Sequence, residues 1–97
     1  MPSVVVRYKT HVHDSDENAR LIEAVFESLA ELVPPGFRYT AYRLDDRVSF
    51  VHVADVSGDN PNPLPTLPAF AEFQRELPQR CAEPPTPSGA AVVGSYG

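Results

Sequence analysis

The chain has one cysteine, eight lysines and arginines against thirteen aspartates and glutamates, and no long apolar run. One cysteine excludes an internal disulfide. A net charge of −5 and a pI near 5.0 argue against nucleic acid or an anionic membrane surface as partner, because both select basic patches. No segment approaches the ~18 apolar residues of a membrane-spanning helix. Met1-Pro2-Ser3 leads straight into a strand-like stretch, without the basic region and apolar core of a signal peptide. A reducing cytoplasm fits these features. Also missing are a glycine-rich phosphate loop, a nucleophile elbow and a zinc-protease motif, so no cofactor, nucleotide, flavin or metal is expected. No internal repeat suggests a solenoid.

What is present suffices for one domain spanning 1–97, with ordinary hydrophobic (42%) and charged (22%) fractions. Eleven prolines cluster, with Pro61, Pro63, Pro65 and Pro68 in one stretch and Pro84, Pro85 and Pro87 in another. Such clusters mark connections and helix starts, because proline lacks a backbone donor.

The organising stretch is Phe37 to Asp55, two arms rich in aromatic and β-branched residues around Asp45-Asp46. A two-residue turn there pairs Tyr39 with His52 and Phe37 with Ala54. A left-handed Arg47 would instead bring Thr40 opposite His52. Either way Val48, Phe50, His52 and Ala54 share one face of their strand, and helices are expected to cover it. Val4 to Val12 reads as the first strand, with Val4, Val6, Tyr8, Thr10 and Val12 on one face. His13 to Asn18 is a helix entry, with Asp14 and Glu17 at capping-box spacing and Ser15 and Asp16 equally good cap residues. The helix then carries an apolar stripe from Leu21 through Ile22, Val25, Phe26, Leu29 and Leu32 to Val33, and Pro34-Pro35-Gly36 stops it.

After a loop over residues 57–65, Thr66 caps a second helix with Leu67, Phe70, Phe73, Leu77 and Cys81 on its buried side. Pro78 should end or kink that helix near Leu77. Glu83 to Ser88 reads as a proline-rich link, and Ala90 to Tyr96 as a short closing strand. The order β-α-β-β-α-β, with right-handed crossovers, predicts an α+β ferredoxin-like sandwich with antiparallel strand order 4-1-3-2. Its open face would carry Arg38, Thr40, Tyr42, Val51 and Val53. That is apolar enough to predict a homodimer packed through the open sheet face.

Several segments together resemble the dimeric α+β barrel superfamily, in particular the small antibiotic-biosynthesis-monooxygenase-like proteins. They are VVVRYKTHV, LAELVPPGFRY, VSFVHVADV, LPAFAEFQREL and VVGSY. The resemblance implies two ferredoxin-like subunits packed sheet to sheet, each with a pocket between helices and sheet. It also implies a cofactor-independent monooxygenase-like activity on an aromatic or polyketide-like substrate. The alternative is a non-catalytic homodimer that binds a small ligand or serves as an interaction module. Familiar members often have a tryptophan after the third strand and a histidine in an AFxxH-like run. This chain has no tryptophan, and Phe73 stands at that histidine position.

His52 is the candidate catalytic acid–base, since a reference pKa of ~6.5 suits proton transfer. Tyr39, Phe50, Phe70 and Phe73 are the candidate ligand-binding residues. His11 and His13, with Asp14 and Asp16, have strand spacing that a metal site could use, although helix capping already explains the acids. Cys81, near a helix C-terminus, reads as a small apolar residue rather than a nucleophile. Arg7, Arg38 and Arg43 could hold an acidic ligand, but pairing with the surplus carboxylates accounts for them equally.

Overall fold

The computed structural model describes residues 3–97. Met1 and Pro2 of the expected domain, and the reading of the N-terminus that includes them, lie outside the described residues. In chain order the elements are β1 (Ser3–Thr10), a 3-10 turn (Val12–Asp14), α1 (Ser15–Leu32), β2 (Phe37–Arg43) and β3 (Ser49–Val56). A second 3-10 turn (Leu64–Thr66), α2 (Pro68–Arg75), α3 (Leu77–Arg80) and β4 (Cys81–Ala90) follow. The four strands form one antiparallel sheet in the order β2-β3-β1-β4, which is the expected ferredoxin-like order read from the other edge.

One sheet face packs on the helices. Tyr8 and Phe50 from the sheet meet Leu21, Ile22 and Val25 of α1 and Leu67 and Phe73 from the second helical segment. The Tyr8 and Phe50 rings stack at 5.4 Å and 9°. The open face carries Val5, Val51, Val53, Thr40 and Tyr42, brought together by the pairings Val5–Val53, Thr40–Val53 and Tyr42–Val51.

The hairpin register departs from both expected pairings. Arg43 pairs with Phe50 and Tyr39 with Ala54, so the sum of paired numbers is 93 rather than 91 or 92. The loop is four residues long, closed by a Leu44 N–H to Ser49 carbonyl bond of 2.8 Å, with Arg47 left-handed at φ 70°. The Asp46 carboxylate holds it by accepting from the backbone N–H groups of Val48 (3.0 Å) and Ser49 (2.8 Å) and from the Ser49 hydroxyl (2.5 Å). Those bonds lower its pKa to about 2. A shift of two residues keeps every side chain on its face, so Tyr39 and His52 remain neighbours, now on the diagonal.

Four further expectations are corrected. β1 stops at Thr10, because the chain turns into a 3-10 turn pinned by the His11 N–H to the Arg80 carbonyl. Val12 is therefore exposed rather than on the Tyr8 face. No Asp14–Glu17 capping box forms; Glu17 pairs with Arg20 instead. The stripe of α1 stays buried from Leu21 to Val25, but Leu32 and Val33 are exposed, and Val33 ends the helix left-handed at φ 47° ahead of Pro34.

The largest correction is β4. The residues read as a proline-rich link are the edge strand itself, paired with β1 from Ser3–Ala90 to Thr10–Cys81. An edge strand tolerates proline where its missing donor faces away from the ladder or sits at a bulge. The register here slips between Arg7 and Thr10, opposite Cys81 to Thr86. The expected closing strand is irregular beyond Ala90, with Val93 and Tyr96 fully exposed. By contrast, Pro78 does what its chemistry requires. α2 ends at Arg75, and Pro78 sits in the first turn of the separate, short α3.

Candidate ligand cavity

A cavity of about 410 Å³ lies between the sheet and α2. Val4, Val6, Ala54 and Val56 line it from the inward faces of β1 and β3, and Leu64, Phe70, Phe73 and Leu77 from the helical side. Pro85 and Pro87 of β4 close the edge, which gives the proline-rich strand a part in the cavity wall. The polar lining groups are Tyr8, Tyr39, His52, Asn62 and Gln74, and no Asp, Glu, Lys or Arg is among them. Such a lining suits a neutral, largely apolar molecule with few polar atoms.

The structure brings together Tyr39, His52, Phe70 and Phe73 of the expected site. Phe50 is elsewhere: only 1% exposed, it is stacked under Tyr8 and flanked by the Arg43 guanidinium at 5.8 Å from its ring centroid. Its contribution is to hold the Tyr8 ring.

Sequence reasoning missed three residues that complete the polar run. The Tyr39 hydroxyl lies 2.6 Å from His52 Nδ1, and the Tyr8 hydroxyl 2.8 Å from His52 Nε2. Asn18 Nδ2 donates to the Tyr8 oxygen at 2.9 Å, and Arg80 Nε donates to Asn18 Oδ1 at 3.0 Å. Arg80 also donates to the Phe73 carbonyl at 2.6 Å, and its guanidinium lies 5.4 Å from the Phe73 ring centroid. The run therefore crosses the interior from α3 through α1, β1 and β3 to β2. Asn18 has no exposed surface and Arg80 is 6% exposed, yet no buried side-chain nitrogen or oxygen among the described residues lacks a partner. Asn18 sits where the α1 stripe extends one turn towards the N-terminus, which was a readable signal. Nothing in the sequence pattern marks Arg80.

Burial decides the protonation states. It pushes the Tyr8 phenol far above its ordinary range, the Tyr39 phenol up to about 12, and the His52 imidazole down to about 4. Near pH 7 all three are neutral.

The other candidates lie apart from the cavity. The rings of His11 and His13 stack at 5.7 Å, and His13 reaches Asp14 at 3.3 Å. Among the described residues no group of three or more His, Cys, Asp or Glu is placed to hold a metal ion. Cys81 is half-buried against the core, and burial raises its thiol pKa. Arg43 is paired with Asp16 at 2.9 Å, and Arg7 and Arg38 are exposed on the open face. No helix among the described residues is long and apolar enough to cross a membrane.

No family model matches the sequence, and no curated protein does. Solved structures do match. A provisionally assigned antibiotic biosynthesis monooxygenase of Nitrosomonas europaea superposes with a TM-score of 0.75 at 13% identity, over 99% of this chain and 93% of its own. A variant of SnoaB, a cofactor-independent oxygenase of Streptomyces nogalater, gives 0.67 at 18% identity over 97% and 94%. The monooxygenase from the gene ActVA-Orf6 of Streptomyces coelicolor, in complex with Nanaomycin D, gives 0.65 at 19% identity over 98% and 89%. At these identities the likeness is one of fold. The chain has the ferredoxin-like α+β fold of antibiotic-biosynthesis-monooxygenase-like proteins, as the sequence resemblance implied.

Proposed function

We propose that the cavity binds a neutral, flat aromatic molecule and that the protein oxygenates it in the manner of a cofactor-independent monooxygenase. The observation that carries this reading is the cavity itself: apolar and aromatic walls without a charged group, and one uncharged Tyr39–His52–Tyr8 run to orient a ligand. The fold shared with a cofactor-independent oxygenase and with a monooxygenase solved in complex with Nanaomycin D is consistent with it. In the reaction class concerned, an electron-rich phenolic substrate supplies the electrons. One atom of O₂ would enter the substrate, and the second would leave as water with two hydrogens from the same substrate. Tyr39, held from behind by His52, would meet the substrate oxygen and ease movement of its proton, while Phe70 and Phe73 stack on the rings.

A second reading, binding without turnover, draws on the low basicity of His52. Moving a proton from a phenol of pKa ~10 to an imidazole at about 4 costs roughly 8 kcal/mol. That is about half of the ~16 kcal/mol barrier of a reaction at ~10 s⁻¹. Oxygen uptake on a panel of polycyclic phenols and hydroquinones separates the readings. Turnover that falls sharply in His52→Ala supports the enzyme, and thermal stabilisation by the same compounds without uptake supports the binder.

The protein would work in the cytoplasm as a homodimer packed through the open sheet face. Val5, Val51 and Val53 form its centre, and Tyr42 is 53% exposed there. Light scattering should return twice the 10.6 kDa chain mass at micromolar concentration. A strict monomer would remove the dimer from the account.

A further inference from the structure

We infer that Arg80 sets the direction of the whole hydrogen-bond run, holding His52 as its Nδ1–H tautomer and leaving the Tyr39 O–H as a donor aimed at an acceptor oxygen on the ligand. A guanidinium can only donate, and Arg80 Nε donates to one end of the Asn18 side chain, which must be the carbonyl Oδ1. Turning that amide over would set its NH₂ against the guanidinium N–H. Asn18 therefore presents Nδ2 to Tyr8, and the Tyr8 oxygen accepts.

The proton of Tyr8 then has one acceptor within reach, His52 Nε2 at 2.8 Å. The opposite arrangement would leave that O–H buried with no acceptor, since Tyr8 is 3% exposed. With Nε2 accepting, a neutral imidazole carries its proton on Nδ1. That N–H donates to the Tyr39 oxygen at 2.6 Å. The Tyr39 proton remains, and Tyr39 lines the cavity. Arg80 thus acts as a positioning residue, through Asn18, Tyr8 and His52, on a ligand it does not touch.

The cavity accordingly selects a ketone or quinone oxygen at Tyr39 over a hydrocarbon of equal shape. This ligand preference rests on the aromatic-ligand reading above; the direction of the run does not. Two measurements separate them. Two-bond ¹H–¹⁵N correlation on histidine-labelled protein reads the tautomer directly: Nδ1–H for His52 supports the inference, and Nε2–H overturns it. Asn18→Asp keeps the Arg80 partner but offers Tyr8 only an acceptor, so it should turn the run round and give Nε2–H. Arg80→Met should mix the tautomers, whereas Arg80→Lys, which retains an obligate donor, should keep Nδ1–H. An unchanged tautomer in Arg80→Met would overturn the role of Arg80.

For the ligand, thermal shifts with 9-fluorenone and fluorene compare one carbonyl oxygen on the same frame. Wild type should bind the ketone at least tenfold more tightly, and Tyr39→Phe should close the gap. Equal affinities in wild type would overturn the donor assignment. If neither compound binds while His52 is Nδ1–H, the aromatic-ligand reading fails and the directed run stands.

Discussion

Replacing Tyr8 with phenylalanine removes one oxygen and little else. The ring keeps its stacking on Phe50, because the hydroxyl points the other way, towards Asn18 and His52. Two buried groups then lose their partner: Asn18 Nδ2, in a residue with no exposed surface, and His52 Nε2, in a residue 6% exposed. A buried polar group left unsatisfied costs about 1–3 kcal/mol. The pair should cost about 3 kcal/mol, since the adjoining cavity admits some water to His52. Against a total stability of roughly 5–15 kcal/mol for a domain of this size, that is a large fraction. The melting temperature should fall by roughly 12–24 °C. Urea unfolding with an unchanged m-value is the assay, because it isolates stability from changes in compactness. Tyr39→Phe is the internal control: its hydroxyl has one protein partner and borders the cavity, so it should cost about 1 kcal/mol. A Tyr8→Phe protein as stable as wild type would refute the claim that the run is a satisfied and costly-to-break network.

Three further outcomes are expected. Because burial lowers the His52 pKa from 6.5 to about 4, the unfolded chain binds a proton there before the folded one does. Its contribution is fully present above pH ~6.5 and is lost as pH falls through ~4, about 3 kcal/mol in all, and His52→Gln should flatten that segment of the stability–pH curve. Val33 is left-handed at φ 47° and 75% exposed, so Val33→Asn should relieve strain at little burial cost. A gain of roughly 0.5–1 kcal/mol in chemical denaturation is expected. On the open face, Val53→Asp should shift light-scattering mass towards the monomer while leaving the circular dichroism of the fold unchanged, since that side chain points away from the helices.

The fold was legible because periodicity and punctuation agreed. The α1 stripe, the hairpin arms and the break at Pro78 each follow from a local rule, and together they leave one strand order. What escaped depended on side chains acting at a distance. The loop length was hidden in Asp46, whose carboxylate replaces ladder bonds for Val48 and Ser49 and so makes room for two more residues. The error was even, which is why Tyr39 and His52 still met. Pro84, Pro85 and Pro87 were read as a link because proline weakens a strand, but an edge strand with a slipped register accommodates them. Tyr8 was placed on the right face without being joined to His52. No turn connects β1 to β3, so their register, with Val6 opposite His52, is set by the core alone. Arg80 is buried through two side-chain bonds and one ring, none of them local enough to leave a mark in the sequence.

The account stands most directly on occupancy of the cavity. Ala54 lines it from β3, directly opposite Tyr39, and is half-buried, so Ala54→Trp should fill the space from the sheet side. Calorimetric titration of 9-fluorenone into wild type and into folded Ala54→Trp is the test. Saturable one-to-one binding to wild type, lost in the variant, is the predicted result. Equal binding to both proteins would place the ligand elsewhere and contradict the account.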